Sequence, residues 1–467
     1  MPKTISPTEI YKHLPRTNCK ECGEENCMAL ATKLANRETD VESCPPLLKP
    51  EHKKAYQILK ELLKPPIREI TVKSKTKTVK LGGKLVLYRH EFTYVNPTAI
   101  AIDVFDEMEE EQLVNRVKTA QDLTYEYIGQ QLNLDLIAVR STSNDPKTFE
   151  RAVKKIVENT EMPLILCSEN PTVLEAGIVA TGGGKPLLYA ATEENWRHIV
   201  DLADMYGCPV TVSSPFDLDG LKGLVKTMHE SGVEDLVLDP GASWDSISNT
   251  IDNYTMIRRA AVKFGDELVG LPIMGVPAYV WNDGEEKTEV LTWKEACLSS
   301  MLITRFADVL IMHSLEGWAV LPVAIWRQNI YTDPRKPVAV EPGVKVFGKP
   351  DKNSPILFTT NFALTYYTVA ADIEASALDC HLLIVDTEGL SIESAVAGRK
   401  LTADKVSNSL KEAELGKKVD HKKLIIPGRA ARISGEVEEL SGWSVLVGPM
   451  DSSGIPKFIQ EKWGKKA

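Results

Sequence analysis

Residues 187–238 read Leu187-Leu-Tyr-Ala190, an amphipathic stretch Thr192–Tyr206, Val210-Thr-Val-Ser213, a second amphipathic stretch Asp217–Ser231, and Leu236-Val-Leu238. The apolar runs have strand length and the stretches between them helix length, which is the alternation of βα units with parallel strands. The rhythm extends both ways. Ala99–Val104, Leu134–Val139 and Leu164–Cys167 precede this stretch, and Ile273–Val276 and Asp308–Met312 follow it. Further helices are expected at Glu107–Thr119, Asp145–Val157, Asp245–Phe264 and Thr292–Thr304. Eight such units in about 215 residues have the count and length of a (β/α)8, TIM-like barrel over residues 97–330, with an open doubly wound sheet as the alternative. Its rim would carry Asp103, Arg140, Ser141, Ser168, Glu169, Thr211, Ser213, Ser214, Asp239, Pro240 and His313. No metal-spaced histidine cluster or triad stands out there, so the barrel reads as scaffold. Thr181-Gly-Gly-Gly-Lys185 lacks phosphate-loop spacing and precedes a strand, so it reads as a helix C-cap and turn.

Upstream, residues 1–64 hold half of the eight cysteines, with Cys19, Cys22, Cys27 and Cys44 separated by two, four and sixteen residues and Pro45 after the last. Four thiolates so placed suit a [4Fe–4S] cluster; zinc is the rival and a disulfide framework a distant third. Short helices are expected from the capping box at Ser6 to about Leu14, from Cys27 to about Asn36, and from Glu51 to Leu63. So thin a helical domain draws part of its folding energy from the cluster. Period-two alternation from Glu69 to Phe92, with Gly82-Gly83 between the arms, predicts a hairpin bridge or lid in the 65–96 segment.

Downstream, five prolines make 331–355 a stiff linker. After it, Ile356–Thr360, His381–Asp386, Lys423–Ile426 and Val445–Val447 alternate with helical stretches Leu364–Ala377, Ser391–Ser409 and Ala430–Leu440, predicting a Rossmann-like α/β domain over 356–467. Ligands of such sheets sit beyond the strands' carboxyl ends. The loops there carry Thr359, Thr360, Asn361, Thr365 and Thr387 for uncharged hydrogen bonds, with Gly389, Gly428 and Gly448 for close backbone approach.

The net charge of −10 and pI near 5.5 speak against a nucleic-acid partner. No apolar run approaches membrane-spanning length, so a cytoplasmic protein is expected. Cys167, Cys208, Cys297 and Cys380 stand singly among apolar residues and read as small hydrophobes.

The cysteine spacing together with Thr359-Thr-Asn-Phe-Ala-Leu-Thr365, Asp386-Thr-Glu-Gly-Leu390, Ile426-Pro-Gly428 and Val447-Gly-Pro449 resembles the large (gamma) subunit of the corrinoid/iron–sulfur protein of the acetyl-CoA decarbonylase/synthase complex. The resemblance implies a cobamide held base-off by the C-terminal domain, at Thr359, Thr360, Asn361, Phe362, Thr365, Thr387, Gly389, Leu390, Gly428, Arg429, Ala430, Gly448 and Pro449. It also implies a [4Fe–4S] cluster on Cys19, Cys22, Cys27 and Cys44 that restores Co(I). Asp379-Cys-His381 begins like the histidine-ligand loop of other corrinoid carriers but precedes a strand, so His381 is rejected as a ligand. The implied activity is that of a methyltransferase component, passing a methyl group from an N5-methyl-tetrahydropterin to a nickel centre. The implied partners are a smaller (delta) barrel subunit, a methyl-tetrahydropterin methyltransferase, the acetyl-CoA synthase subunit and a reductant such as ferredoxin. Two other readings are an iron–sulfur electron-transfer scaffold without corrinoid and a zinc-bearing, pterin-binding barrel methyltransferase.

Overall fold

The computed structural model describes residues 5–282 and 286–463, so the extreme ends of the first and last expected domains lie outside the described residues. It divides into two compact units, Met1–Tyr125 with Leu132–Thr332, and Glu126–Gln131 with Asp333–Ala467.

The first unit is built on eight parallel strands: Ala99–Phe105, Leu136–Arg140, Leu164–Cys167, Leu187–Ala191, Val210–Ser213, Leu236–Asp239, Met274–Gly275 and Val309–Met312. Each pairs with its neighbour in sequence, and the last returns to the first. A single parallel bridge between Leu238 and Ile273 joins the sixth strand to the seventh, giving a nearly closed barrel. Continuous apolar runs arise because both faces are buried. Ala101, Ala138, Ile165, Leu187 and Ile311 fill the interior, while Ile102, Val139, Leu166, Leu188 and Val212 meet the helices.

Two barrel helices escaped the sequence reading, Pro171–Ala180 and Gly317–Tyr331. The first ends at Thr181, whose N–H donates to the Gly177 and Ile178 carbonyls; Gly182 and Gly183 follow at positive φ. Thr181–Lys185 is therefore a helix end, as expected.

The hairpin exists in a different register. Glu69–Lys73 pairs antiparallel with Thr78–Gly82, and the turn lies at Ser74–Lys77, where Ser74 Oγ accepts from the Thr76 and Lys77 N–H groups. Gly82-Gly83 ends the second arm instead of separating the two, and Leu85–Tyr88 is no strand. Ile70, Val72 and Leu81 pack against the barrel's interior residues, so the hairpin plugs the floor. Just after it, buried Lys84 meets Asp308 at 2.8 Å, and Arg258 meets the same carboxylate at 2.6 Å.

Ahead of the hairpin, helices Pro7–His13, Cys27–Ala35 and Lys53–Leu62 enclose a small core of Ile10, Leu30, Leu34, Leu47 and Leu59. The first is capped by Ser6, whose Oγ accepts from the Glu9 N–H.

The second unit holds a five-stranded sheet. Parallel strands Ile356–Thr360, Cys380–Val385, Lys423–Ile426 and Ser444–Val447 run in the spatial order second, first, third, fourth. The expected linker supplies the fifth strand: Gly343–Phe347 pairs antiparallel with Cys380–Val385. Residues 338–340 also bond to the first loop, with the Val340 N–H donating to the Asn361 carbonyl and the Ala363 N–H to the Val338 carbonyl. The stretch expected to be one helix over Ser391–Ser409 breaks into Ile392–Ala397 and Ala403–Glu412, with Arg399 at φ 54° between them. Among the described residues no helix is long and apolar enough to cross a membrane.

Candidate functional site

Around the first three cysteines the backbone turns tightly. Arg16, Asn18 and Lys20 have φ of 58°, 48° and 63°, and Gly23 has 82°. Asn18 pins the loop by accepting the Cys27 N–H at its Oδ1, 2.9 Å away. Asn26 caps the following helix through the Met28 and Ala29 N–H groups. Cys44 arrives between two short 3-10 turns, Val41–Ser43 and Pro45–Leu48. Cys27 and Cys44 are buried, Cys22 is half-buried and Cys19 exposed. Burial pushes the Cys44 thiol up; the Leu47 N–H opposes this, and Cys22, Cys27 and Cys19 add to it. The four sulfurs thus share one electrostatic neighbourhood. Among the described residues no three His, Cys, Asp or Glu side chains gather as ligands of one ion. A donor set of four thiols in one small module, three of them withdrawn from solvent, fits an iron–sulfur cluster.

In the second unit, the strand order reverses between Ile356–Thr360 and Lys423–Ile426, and a crevice opens at such a point in doubly wound sheets. A cavity of about 260 Å³ lies there, floored by Leu357, Thr359, Leu382 and Ile425 and walled by Leu364, Thr365, Arg429, Pro449 and Met450. Its lining is mostly apolar. Thr359 is fully buried and its hydroxyl has no hydrogen-bond partner. A buried hydroxyl left so costs about 1–3 kcal/mol, and a ligand atom in the cavity would relieve it. Arg429 spans the mouth, donating Nε–H to the Met450 carbonyl at 3.1 Å and pairing with Glu393.

The other predicted positions build the loops instead of lining the cavity. Asn361 Oδ1 accepts from the Thr387 N–H at 2.9 Å, the Thr387 hydroxyl at 3.1 Å and the Gly389 N–H at 3.0 Å, while its Nδ2 donates to Asp386. The single Thr387 hydroxyl proton is shared between Asn361 Oδ1 and the Leu390 carbonyl, the latter at 2.8 Å. Thr360 is buried on the opposite sheet face, also without a partner for its hydroxyl. Phe362 is the N-cap of helix Ala363–Ala375, and Ala430 is buried in a 3-10 turn. The glycines serve loop-to-loop packing. A Cβ on Gly389, which has φ +74°, would stand 2.8 Å from Pro337 Cβ, and one on Gly428 would stand 2.9 Å from the Gly448 carbonyl oxygen. A Cβ on Gly448 would meet Ile425 Cγ2 at 3.0 Å. His381 is the second residue of its strand Cys380–Val385, at the end away from the Asp386–Leu390 loop.

At the barrel mouth, buried Asp103 meets Arg140 at 3.0 Å, Arg116 at 3.2 Å and His313 Nδ1 at 2.6 Å. Burial alone would raise this carboxyl; hydrogen bonding and charge from His313, Arg116 and Arg140 bring it below its ordinary value. Among the described residues Asp239 has no such cation. It accepts from the Tyr189 and Ser213 hydroxyls at 2.8 and 2.9 Å and from the Gly241 N–H, and burial pushes its carboxyl up. Ser141 donates to Asp106, and Glu295 accepts from the His313 and Ser314 N–H groups. Ser168, Glu169 and Tyr189 line an open recess of about 510 Å³. Arg116, Tyr189 and Glu295 were not read from the sequence, because only the closing of the barrel brings them to these carboxylates and backbone groups.

The family model described as CO dehydrogenase/acetyl-CoA synthase delta subunit matches residues 69–459. An Fe-S cluster model matches residues 14–46. The acetyl-CoA decarbonylase/synthase complex subunit gamma 2 of Methanosarcina mazei is 45% identical over 99% of this chain and 100% of its own length. The chain belongs to this family of gamma subunits. The subunit gamma of Methanothermobacter thermautotrophicus is 43% identical over 98% of this chain and 99% of its own. Among solved structures, dihydropteroate synthase of Yersinia pestis aligns with 56% of this chain and 99% of its own, at 11% identity and a TM-score of 0.40. The Fe-S cluster match lies ahead of the region matched by the delta-subunit model, which begins at residue 69.

Proposed function

We propose that this chain is the methyl-carrying, corrinoid/iron–sulfur component of an acetyl-CoA decarbonylase/synthase complex. In this reading Cys19, Cys22, Cys27 and Cys44 hold a [4Fe–4S] cluster, and the second unit is a Rossmann-like domain that holds a cobamide base-off at the ends of its parallel strands. The cobamide, when bound, supplies a cobalt nucleophile for the methyl group of an N5-methyl-tetrahydropterin, either tetrahydrosarcinapterin or tetrahydrofolate, which then goes to the nickel centre of the synthase. A cluster held by Cys19, Cys22, Cys27 and Cys44 would supply electrons, drawn from an external reductant such as ferredoxin, to keep the cobamide in its reduced form.

The observation that carries this reading is the apolar cavity at the strand-order reversal, with fully buried Thr359 and its unpartnered hydroxyl in the lining layer. Thr365, Arg429 and Pro449 stand beside it, so of the expected set these four would touch the group. Asn361, Thr387 and Gly389 shape the loops around it. No histidine is among the residues lining the cavity. A site without a strong axial donor favours the low-valent cobalt that nucleophilic attack requires. The partners in this reading are the delta-type barrel subunit, the methyl-tetrahydropterin methyltransferase, the synthase subunit and ferredoxin, all in the cytoplasm.

Elemental analysis of protein purified anaerobically from its native host tests the reading. Cobalt and iron near one to four are expected; iron without cobalt would replace the carrier with an electron-transfer scaffold.

A further inference from the structure

We infer that the exposed edge of the cysteine module at Cys19, with Lys12, Arg16 and Lys20 around it, is the docking face of an acidic one-electron donor protein. Charge is spread unevenly along the chain. Residues 1–64 carry eleven Lys and Arg against nine Asp and Glu, a net +2, although the chain as a whole stands at −10. Within the module the imbalance is local: from Ile10 to Lys20 there are three Lys and Arg and no carboxylate. Lys33 and Lys60 pair with Glu24 and Glu42 at 2.5 and 3.0 Å, whereas among the described residues Lys12, Arg16 and Lys20 have no carboxylate partner. Arg16 donates to the Tyr11 carbonyl at 3.2 Å and the Lys12 carbonyl at 2.8 Å, with its guanidinium over the Tyr11 ring. Its charge is held in position and left uncompensated.

The occupant follows from charge and exposure. Cys19 is exposed, Cys22 half-buried, and Cys27 and Cys44 buried, so a donor comes nearest to the sulfurs at Cys19. Electron transfer weakens steeply with distance, which makes that edge the port. An acidic donor is repelled by the rest of the chain and drawn to these three cations, while a basic one would be drawn elsewhere. Met28 directly follows Cys27 and Leu48 lies four residues after Cys44; both are exposed and offer apolar contact beside the charges. Such electron-transfer interfaces are small and short-lived. One electron leaves the reduced donor, which is oxidised, and enters the module, with no bond made or broken. The inference rests on the proposed [4Fe–4S] cluster and locates where its electrons enter.

The test uses full-length chain purified anaerobically, with a ferredoxin of net negative charge as the probe. Carbodiimide, which joins an ammonium to a carboxylate in contact with it, should link Lys12 or Lys20 to the ferredoxin. In stopped-flow mixing with reduced ferredoxin, reduction of the wild-type module should slow roughly tenfold or more as salt rises from about 50 to 500 mM. Lys12→Glu and Lys20→Glu should each cut the low-salt rate about tenfold and flatten its salt dependence. Their iron content and circular dichroism should stay unchanged, and reduction by a viologen radical, a small cation, should not slow. Lys20→Arg should match wild type, and so should Lys226→Glu, the same charge change on the barrel helix Leu218–Glu230. Low-salt rates of both module variants within about twofold of wild type, an equal slowing by Lys226→Glu, or cross-links confined to other lysines overturns the inference. Wild type without iron overturns it together with the cluster reading. Iron-loaded protein that ferredoxin reduces regardless of Lys12 and Lys20 removes the docking face and leaves the cluster.

Discussion

Thr359→Val removes one hydroxyl and leaves the shape of the side chain, so its two expected effects have opposite signs. In the chain without cofactor the Thr359 hydroxyl is buried with no partner, against an apolar floor of Leu357, Leu382 and Ile425. An unsatisfied buried hydroxyl costs about 1–3 kcal/mol, and an apolar group of the same shape does not incur that cost. The variant without cobamide should therefore be more stable by about 1 kcal/mol or more, read as a higher urea midpoint at unchanged slope. Cobamide binding should move the other way. Losing one neutral hydrogen bond to the ligand costs about 0.5–1.5 kcal/mol, or roughly threefold to tenfold in affinity. Absorbance titration of anaerobic protein with base-off cobamide measures this, with iron content as a control on the distant module. A destabilised variant would mean that the hydroxyl has a protein partner in solution. Unchanged affinity would mean that no ligand atom reaches it, and either result refutes the reasoning.

Cys22→Ala should lose or degrade the cluster, read as iron per chain, while cobalt loading and methyl transfer to freshly reduced protein persist and reductive reactivation fails. Gly389→Val should destabilise the second unit by about 2–4 kcal/mol in denaturant melts, from its positive φ and the 2.8 Å approach to Pro337; a cost near zero would show that the 337–340 segment is not seated there. Lys84→Met should cost about 3–5 kcal/mol, because it leaves a buried pair without one of its cations. Burial alone would raise the Asp308 carboxyl, but Arg258 and Lys84 bring it below its ordinary value. The wild type's share of this stability should thus be complete above about pH 4, the unfolded value, and vanish as pH falls through the lower folded value.

The barrel was legible because its strands, buried on both faces, appear as unbroken apolar runs, and Val210–Ser213 and Leu164–Cys167 match residue for residue. Gly343–Phe347 was not, since an edge strand half open to solvent and flanked by prolines looks like a linker. The hairpin register failed for a related reason: a polar Ser-Lys-Thr-Lys turn held by the Ser74 hydroxyl is a weaker signal than a glycine pair. The four cysteines stood out by local spacing, and the Fe-S cluster model matches the segment that holds them. In the second unit the sequence reading put loop-forming and cavity-lining residues into one set. Asn361 and Thr359 lie two residues apart, and only the fold tells which is spent on its neighbours. The Asp103 cluster draws Arg116, Arg140 and His313 from three separate elements, a convergence that no local pattern announces.

The plug of the barrel floor has a consequence for the order in which the molecule is made. The hairpin and Lys84 leave the ribosome early, yet Lys73 bonds to Lys185, Arg68 to Gly270, and Lys84 to the Ala307 carbonyl, 223 residues further on. Until the last strands emerge, a stretch carrying Ile70, Val72 and Leu81 has nothing to stopper. Its alternate lysines, Lys73, Lys75, Lys77 and Lys80, give that waiting strand pair the charge that discourages edge-to-edge association in the meantime. The same stretch that seals the finished barrel must therefore be soluble as a nascent tail, which is why so apolar a stopper is laced with cations.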